Sequence, residues 1–359
     1  MNSPGRPPAD EPQDAGERMA QRILLTQLRR IGDVLMTTAA TEAVRQAYPQ
    51  ARICYLTERP SDIIFRYGSL VNEVIIYPRG LTARLRTVAR LRSMKFDLAV
   101  DFFSNPRSAM IVRATGATRR IGFDFPGRRY AYTDRVALPP GRTYAARHKA
   151  MLLQPLGLTV PQPRPLVRLG EPEREYARRQ LDELGVRPGQ LLVAFSPVSR
   201  QPYKVWPAKN FARLADILIE RYDAVVLPLW GPGEEKFIDD MRLAMHHAAL
   251  PDYPIPDLLQ MAALMEKAHL FIGNDNGPRH FAMAVGTPTV AVFGRPRPES
   301  WTPPDDPAHR ALAHDPGCKD NCTYPRCRHL ACINEVPYQA VEAETENLLE
   351  EILKDGRPH

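Results

Sequence analysis

No stretch of this 359-residue chain runs for the roughly 18 apolar residues that a membrane-spanning helix needs. The first twenty residues, MNSPGRPPADEPQDAGERMA, contain no apolar segment of the secretory-signal kind. They read as a disordered leader, and the chain is expected to be cytoplasmic. No Walker-type glycine-rich loop occurs, and no aromatic-basic run of the sort that stacks RNA bases, which argues against a nucleic-acid partner. Cysteine is scarce, with five residues in all and no C-x₂-C pair. Acidic residues are scarce in one region. From Arg79 to Lys149 there are sixteen Lys and Arg against four Asp and Glu, so the remainder of a chain of net charge +7 is net acidic. That stretch is either a solvated arginine-rich surface or a face that meets phosphate-bearing partners.

What is present is an alternation of short apolar runs with helical patterns. A chain of this length predicts about two domains. Strands are expected at 22–28, 51–58, 71–78, 96–103 and 119–125, with a helix after the first strand and a basic helix over 81–94. The proline-rich run TVPQPRPLVRL (159–169) breaks the pattern as a linker, and a helix over 172–186 opens a second series. Its strands are expected at 191–197, 224–230, 270–275 and 288–294. Strands and helices alternating in this way predict parallel sheets, and two such halves imply a cleft between them. Ligands of open α/β sheets lie beyond the carboxyl ends of the strands, so those ends carry the candidate site.

In LRRIGDVLMTT (28–38), Gly32 and Asp33 stand where the first strand gives way to a helix. Asp33 is either the N-cap of that helix or a general base facing the cleft, with Gly32 allowing close approach. FSPVSRQPYKVWP (195–207) places Ser196, Ser199, Arg200 and Lys204 after another strand. Hydroxyls and a lysine there suit a phosphate, or the loop is an ordinary solvated one. In PLWGPGEEK (228–236), Trp230 and Gly231 lead into a Gly-Pro-Gly turn, and Glu234 is placed to accept ribose hydroxyls. Alternatively, Glu234 and Glu235 simply favour the first turn of the next helix. FIGNDNGPRH (271–280) ends a buried strand on Asn274, Asp275, Asn276 and Gly277 and then restarts as a helix. Backbone N–H groups around Asn276 and Gly277 would form an anion site, while Asp275 suits a sugar hydroxyl or the loop itself. His280 is either a packed histidine or a ligand contact.

Four stretches taken together, RRIGDVLMTTAATEAVRQAYP, KVWPAKNFARLAD, GPGEEK and LMEKAHLFIGNDNGPRHFAMAVGTPTVAVFG, resemble glycosyltransferase family 9, the ADP-heptose:lipopolysaccharide heptosyltransferases. The resemblance implies an α/β GT-B fold, two Rossmann-like domains with parallel sheets facing across a cleft. Its expected boundaries are a leader at 1–20, an acceptor-side domain at 21–165, a donor-nucleotide domain at 171–337, and a terminal helix and tail at 338–359. It also implies inverting transfer from an ADP-sugar to a lipopolysaccharide-core or anionic lipid acceptor at the inner-membrane surface, with no cofactor and no catalytic metal. The chain contains no Asp-x-Asp, in keeping with that expectation.

By the same resemblance Asp33 is the base and Lys204 the donor-phosphate contact. Glu234 lies near the ribose, Asp275 holds the transferred sugar, and Asn276 and Gly277 form the loop over the diphosphate. Ser196, Ser199, Trp230, Gly231 and His280 complete the expected donor site. Pro278-Arg279 adds a positive charge to the last loop, and Gln201-Pro202-Tyr203 makes the approach to Lys204 unusual. Other readings are a GT-B transferase with a different nucleotide sugar or a protein acceptor, and a nucleotide- or RNA-binding α/β protein. Cys318, Cys322, Cys327 and Cys332, spaced C-x₃-C-x₄-C-x₄-C, are expected to be reduced thiols, with zinc or a redox pair as alternatives.

Overall fold

The computed structural model describes residues 20–295, 298–318 and 322–354. Residues 1–19 of the expected leader and 355–359 of the expected tail lie outside them.

The apolar runs become strands buried on both faces, the condition under which parallel sheets occur. In the first half these are β1 (Arg22–Thr26), β2 (Arg52–Thr57), β3 (Glu73–Ile76), β4 (Leu98–Asp101), β5 (Arg119–Phe123) and β6 (Asp134–Val136). They form one six-stranded parallel sheet in the order β3-β2-β1-β4-β5-β6. The second half contributes β7 (Leu192–Ser196), β8 (Val225–Pro228), β9 (Leu270–Asn274), β10 (Thr289–Phe293) and β11 (His309–Ala313). These make a five-stranded parallel sheet ordered β11-β10-β9-β7-β8. The short outer strands β6 and β11, and the helices Pro106–Thr115 and Ala145–Ala150, go beyond the elements expected from sequence.

Strand order reverses between β1 and β4 in the first sheet and between β7 and β9 in the second. Such a switch point opens a crevice at the carboxyl ends of the strands, because the flanking connections leave on opposite faces. Each half therefore presents one crevice. The GDV segment follows β1, and the SPVSR and NDNG loops follow β7 and β9. The proline-rich linker runs between the halves and touches both: Leu166 N–H donates to Thr38 Oγ1 at 2.8 Å and Val167 N–H to the Ala284 carbonyl at 3.3 Å.

Three arginines bridge the halves near the linker, Arg142 to Glu299 (3.3 Å), Arg147 to Asp305 (2.5 Å) and Arg164 to Asp306 (3.3 Å). The terminal helix Tyr338–Lys354 buries Val341, Leu348, Leu349 and Ile352 in the same apolar cluster as Val290 and Val292 of β10.

Candidate active site

On the first half, the chain leaves β1 and turns through Arg29 (φ 66°) and Arg30 (φ 23°) before the short helix Ile31–Leu35. Left-handed backbone costs a non-glycine residue on the order of 1–3 kcal/mol and persists only where its surroundings over-determine it. Arg30 occupies the N-cap without a side-chain cap bond, and Asp33 falls within the first turn. The capping alternative for Asp33 therefore fails, because the N-cap position lies three residues earlier. The Asp33 carboxylate is half-buried, and no hydrogen bond reaches it among the described residues. Burial pushes its pKa up, while the charges of Lys149 and Arg30 pull it back.

Gly32 is a point of close contact between the halves. A Cβ built there would stand 2.6 Å from Cδ2 of His280, so only glycine admits this approach. His280 belongs to the helix Gly277–Val285 that follows the NDNG loop, and it is buried with its ring 5.3 Å from that of Trp301. Burial and the neighbouring Arg279 charge push its pKa down to about 4, so it is a neutral packing residue at this contact.

On the second half, Asn274 and Asn276 stitch the loops after β7 and β9 together. Asn274 donates to the Pro197 carbonyl (2.7 Å) and accepts from Trp206 N–H (3.0 Å). Asn276 Nδ2 donates to Ser196 Oγ (3.1 Å) and to the Val198 carbonyl (3.0 Å), while its side-chain oxygen caps the helix through Arg279 N–H. The helix N-terminus is thus a poorer anion site than expected. Pro278 brings no N–H, and the donor of Arg279 is already taken. Ser196 is fully buried in this stitching rather than facing the cleft.

Lys204 and Asp275, assigned separately to phosphate and sugar, meet in an ion pair that buries Asp275 almost completely. An ammonium carries three N–H donors, so among the described residues Lys204 keeps two beyond the one given to Asp275.

A cleft of about 600 Å³ opens at the turn that carries Lys204, lined by Ser199, Arg200, Pro202, Val205, Glu234 and Phe237 among others but not by Lys204 or Asp275. Glu234 folds back so that one oxygen accepts from Gly231 N–H (3.0 Å), and its other oxygen lies 3.9 Å from Arg200. The next residue, Glu235, is the one in the first turn of the following helix. Trp230 is packed edge-on against Tyr253 (5.0 Å) and lies in the core. Ser199 Oγ accepts from Gln201 N–H at 3.2 Å.

Both unusual features of the sequence have structural explanations. Arg279 points inward, donating to the Trp301 carbonyl (3.0 Å) and Thr302 Oγ1 (2.9 Å), so its charge anchors the 301–302 segment rather than extending the loop's anion site. The Gln201-Pro202-Tyr203 turn is buttressed by Tyr324, whose hydroxyl donates to Gln201 and whose ring meets that of Tyr203 edge-on. A Cβ on Gly294 would overlap the Tyr203 carbonyl oxygen at 1.7 Å, so β10 is followed at once by glycine to let that turn pass. The segment that bears Tyr324 also bears four of the five free thiols, and Cys318, Cys322 and Cys332 line one small pocket. Among the described residues no three Cys, His, Asp or Glu side chains are grouped as a metal site.

The sequence reading missed Lys149 and Asp101. Lys149 is buried in the helix Ala145–Ala150 with Ala146, just before the buried Leu152 and Leu153 of the following turn, and a lysine interrupting that apolar spacing was the available signal. Asp101 ends β4 fully buried.

The sequence profile described as glycosyltransferase family 9 (heptosyltransferase) matches residues 84–327. Lipopolysaccharide heptosyltransferase 3 of Escherichia coli is 28% identical over 293 residues, covering 77% of this chain and 84% of that protein. Among solved structures, a glycosyl transferase family 9 protein from Veillonella parvula superposes with a TM-score of 0.79 at 23% identity, covering 92% of this chain and 97% of its own. An E. coli heptosyltransferase solved with ADP superposes with a TM-score of 0.67 at 20% identity, covering 92% and 99%. Two parallel sheets facing across a cleft, together with the profile match, define a GT-B enzyme, and the chain belongs to glycosyltransferase family 9.

Proposed function

We propose that this glycosyltransferase moves a heptose or similar sugar from an ADP-sugar to a lipopolysaccharide-core or lipid A acceptor, with inversion at the transferred carbon. The observation that carries the reading is the contact of Gly32 with His280. It brings Asp33, a carboxylate with no hydrogen bond among the described residues, against the helix that follows the NDNG loop of the opposite half. Residues 21–165 then form the acceptor domain, 171–337 the donor domain, and 338–359 the terminal helix and tail.

In the reaction Asp33 takes the proton of the acceptor hydroxyl as its oxygen bonds to the anomeric carbon. The bond to the diphosphate breaks on the opposite face, and ADP leaves. General-base assistance contributes about 10²–10⁴-fold, and stabilisation of the departing diphosphate is the larger part. The two free donors of Lys204 and the loop at 276–277 serve the diphosphate, and Glu234 with Ser199 serves the nucleoside in the adjacent cleft. His280 shapes the wall behind the sugar.

A peripheral contact with the inner-membrane surface is supported by the helix Leu81–Ser93. Leu81 (73% exposed) and Leu85 (60% exposed) share one exposed face with Arg92, and Arg86 is exposed on the adjoining flank. Basic residues near an anionic surface contribute about 1 kcal/mol each.

The test is Asp33→Asn, which keeps size while removing the basic oxygen. Turnover is expected to fall about 10²–10⁴-fold with ADP affinity and thermal unfolding unchanged. A variant that turns over at the wild-type rate removes Asp33 from the mechanism. Titration with ADP, UDP and GDP tests the donor, with ADP expected to bind most tightly.

A further inference from the structure

Lys149 is a buried cation with no obvious duty in packing. A hydrocarbon stem would fill its place among Ala146, Leu152 and Leu153 equally well, and burying an ammonium costs free energy unless a charge answers it. Its Nζ donates to the Phe102 carbonyl at 2.7 Å, at the carboxyl end of β4 and so beside the first crevice. Asp33, just after β1, and Asp101, the last residue of the neighbouring β4, stand at the same sheet edge without forming an ion pair with it, and their charges offset the burial that pushes the ammonium pKa down. Asp101 has other partners: Phe103 N–H (3.1 Å), Ser104 N–H (3.0 Å) and the Tyr132 hydroxyl (2.8 Å) all donate to it. Asp33 has no hydrogen bond among the described residues.

The charged and titratable groups around Asp33 are few. Arg30 belongs to its own loop and Lys149 to the helix Ala145–Ala150, which packs on the helix Thr38–Ala47. Tyr55 of β2 has its hydroxyl committed to Thr37. His148, beside Lys149, is stacked on Phe123 and neutral, and His280 across the contact is neutral as well. Among the described residues Lys149 is therefore the one buried positive charge on the acceptor side of the contact that answers Asp33.

We propose that Lys149 is a positioning residue for the acceptor-side base: tethered by the Phe102 carbonyl, its ammonium keeps the half-buried Asp33 carboxyl ionised at the pH where the enzyme works. The inference rests on Asp33 being the base. A base must be unprotonated to accept the acceptor's proton, and burial acts against that form. Lys149 supplies the opposing charge without touching substrate.

The experiment measures kcat against pH for wild type, Lys149→Met, Lys149→Arg and Asp33→Asn, with donor and acceptor saturating. In Lys149→Met the acid limb is expected to move up by about one to three pH units, the range an opposite charge at close quarters imposes on a carboxyl. Activity returns at high pH, and Lys149→Arg restores the limb. If Lys149→Met does not fold, Lys149→Gln keeps a donor for Phe102 and removes the charge, and gives the same reading. If Asp33→Asn abolishes turnover while Lys149→Met and Lys149→Gln leave the acid limb in place, Lys149 is only a structural tether and the inference is overturned. If Asp33→Asn turns over normally, the base assignment itself falls, and the inference falls with it.

Discussion

Replacing Gly32 by alanine probes the contact that brings the two halves together. The added Cβ would stand 2.6 Å from Cδ2 and 3.2 Å from Nε2 of His280, where ordinary contact begins at 3.4 Å. The imidazole cannot swing away, being buried with Trp301 against it. The two helices must therefore part by about 0.8 Å, and overpacking of this kind costs about 1–3 kcal/mol. Alanine recovers up to about 1 kcal/mol through its better helix propensity, so the net loss of stability is small. The effect on rate is larger, because misplacing reacting groups by about 1 Å costs on the order of 10²-fold. Asp33 follows Gly32 directly, so Gly32→Ala is expected to lower kcat about ten- to a hundred-fold while ADP still binds. A double-mutant cycle with His280→Ala is the assay. Removing the ring makes room for the methyl group, and the double variant should recover at least about 1 kcal/mol relative to the sum of the single effects. A Gly32→Ala enzyme of wild-type rate, or strictly additive losses, refutes the reasoning.

Lys204→Ala is expected to weaken ADP-sugar binding about ten- to a hundred-fold, the cost of a lost charge-assisted contact. It also leaves Asp275 buried without its partner. Adding Asp275→Asn should therefore restore the melting temperature but not the affinity, and calorimetry on both variants checks this. Co-sedimentation with vesicles should show binding to anionic but not neutral lipid, weakened by salt because exposed charges are screened over about 8 Å in physiological salt. Leu81→Ser with Leu85→Ser should weaken it further, and equal binding to both vesicle types rejects the contact. The imidazole of His280 is held neutral by burial and the Arg279 charge, with its pKa pushed down to about 4. The unfolded chain binds that proton first as pH drops, so stability present above about pH 6.5 is lost between there and pH 4, about 2 kcal/mol of it by pH 5. Thermal melts of His280→Gln from pH 7 to 5 should show a shallower decline than wild type.

Much of the fold was legible because parallel strands buried on both faces leave unbroken apolar runs. RILLT, LLVAFS and TVAVF declare themselves in that way. The outer strands did not, since β6 is three residues long and the residues of β11 are only partly buried or exposed, which leaves little periodicity to read. Loop identity at the strand ends was legible, but side-chain direction was not. Arg279 and Ser196 read as cleft residues by position, yet turn inward because neighbouring carbonyls, hydroxyls and amides compete for them. Trp230 stood in a promising loop and was taken by the core. Lys149 was missed because its significance comes from β1 and β4, far away in sequence and adjacent in space.

The three arginine–carboxylate pairs between the halves act as a light detent on the hinge. Each is partly exposed, and pairs of that kind contribute about 0–1 kcal/mol apiece. Such a catch ties the halves together without locking them, since no single pair holds them strongly. Because the cations sit on one jaw or the linker and the anions all sit on the other, the catch has a single polarity. Ionic strength then becomes a throttle on the grip between the halves, because exposed pairs are screened by salt.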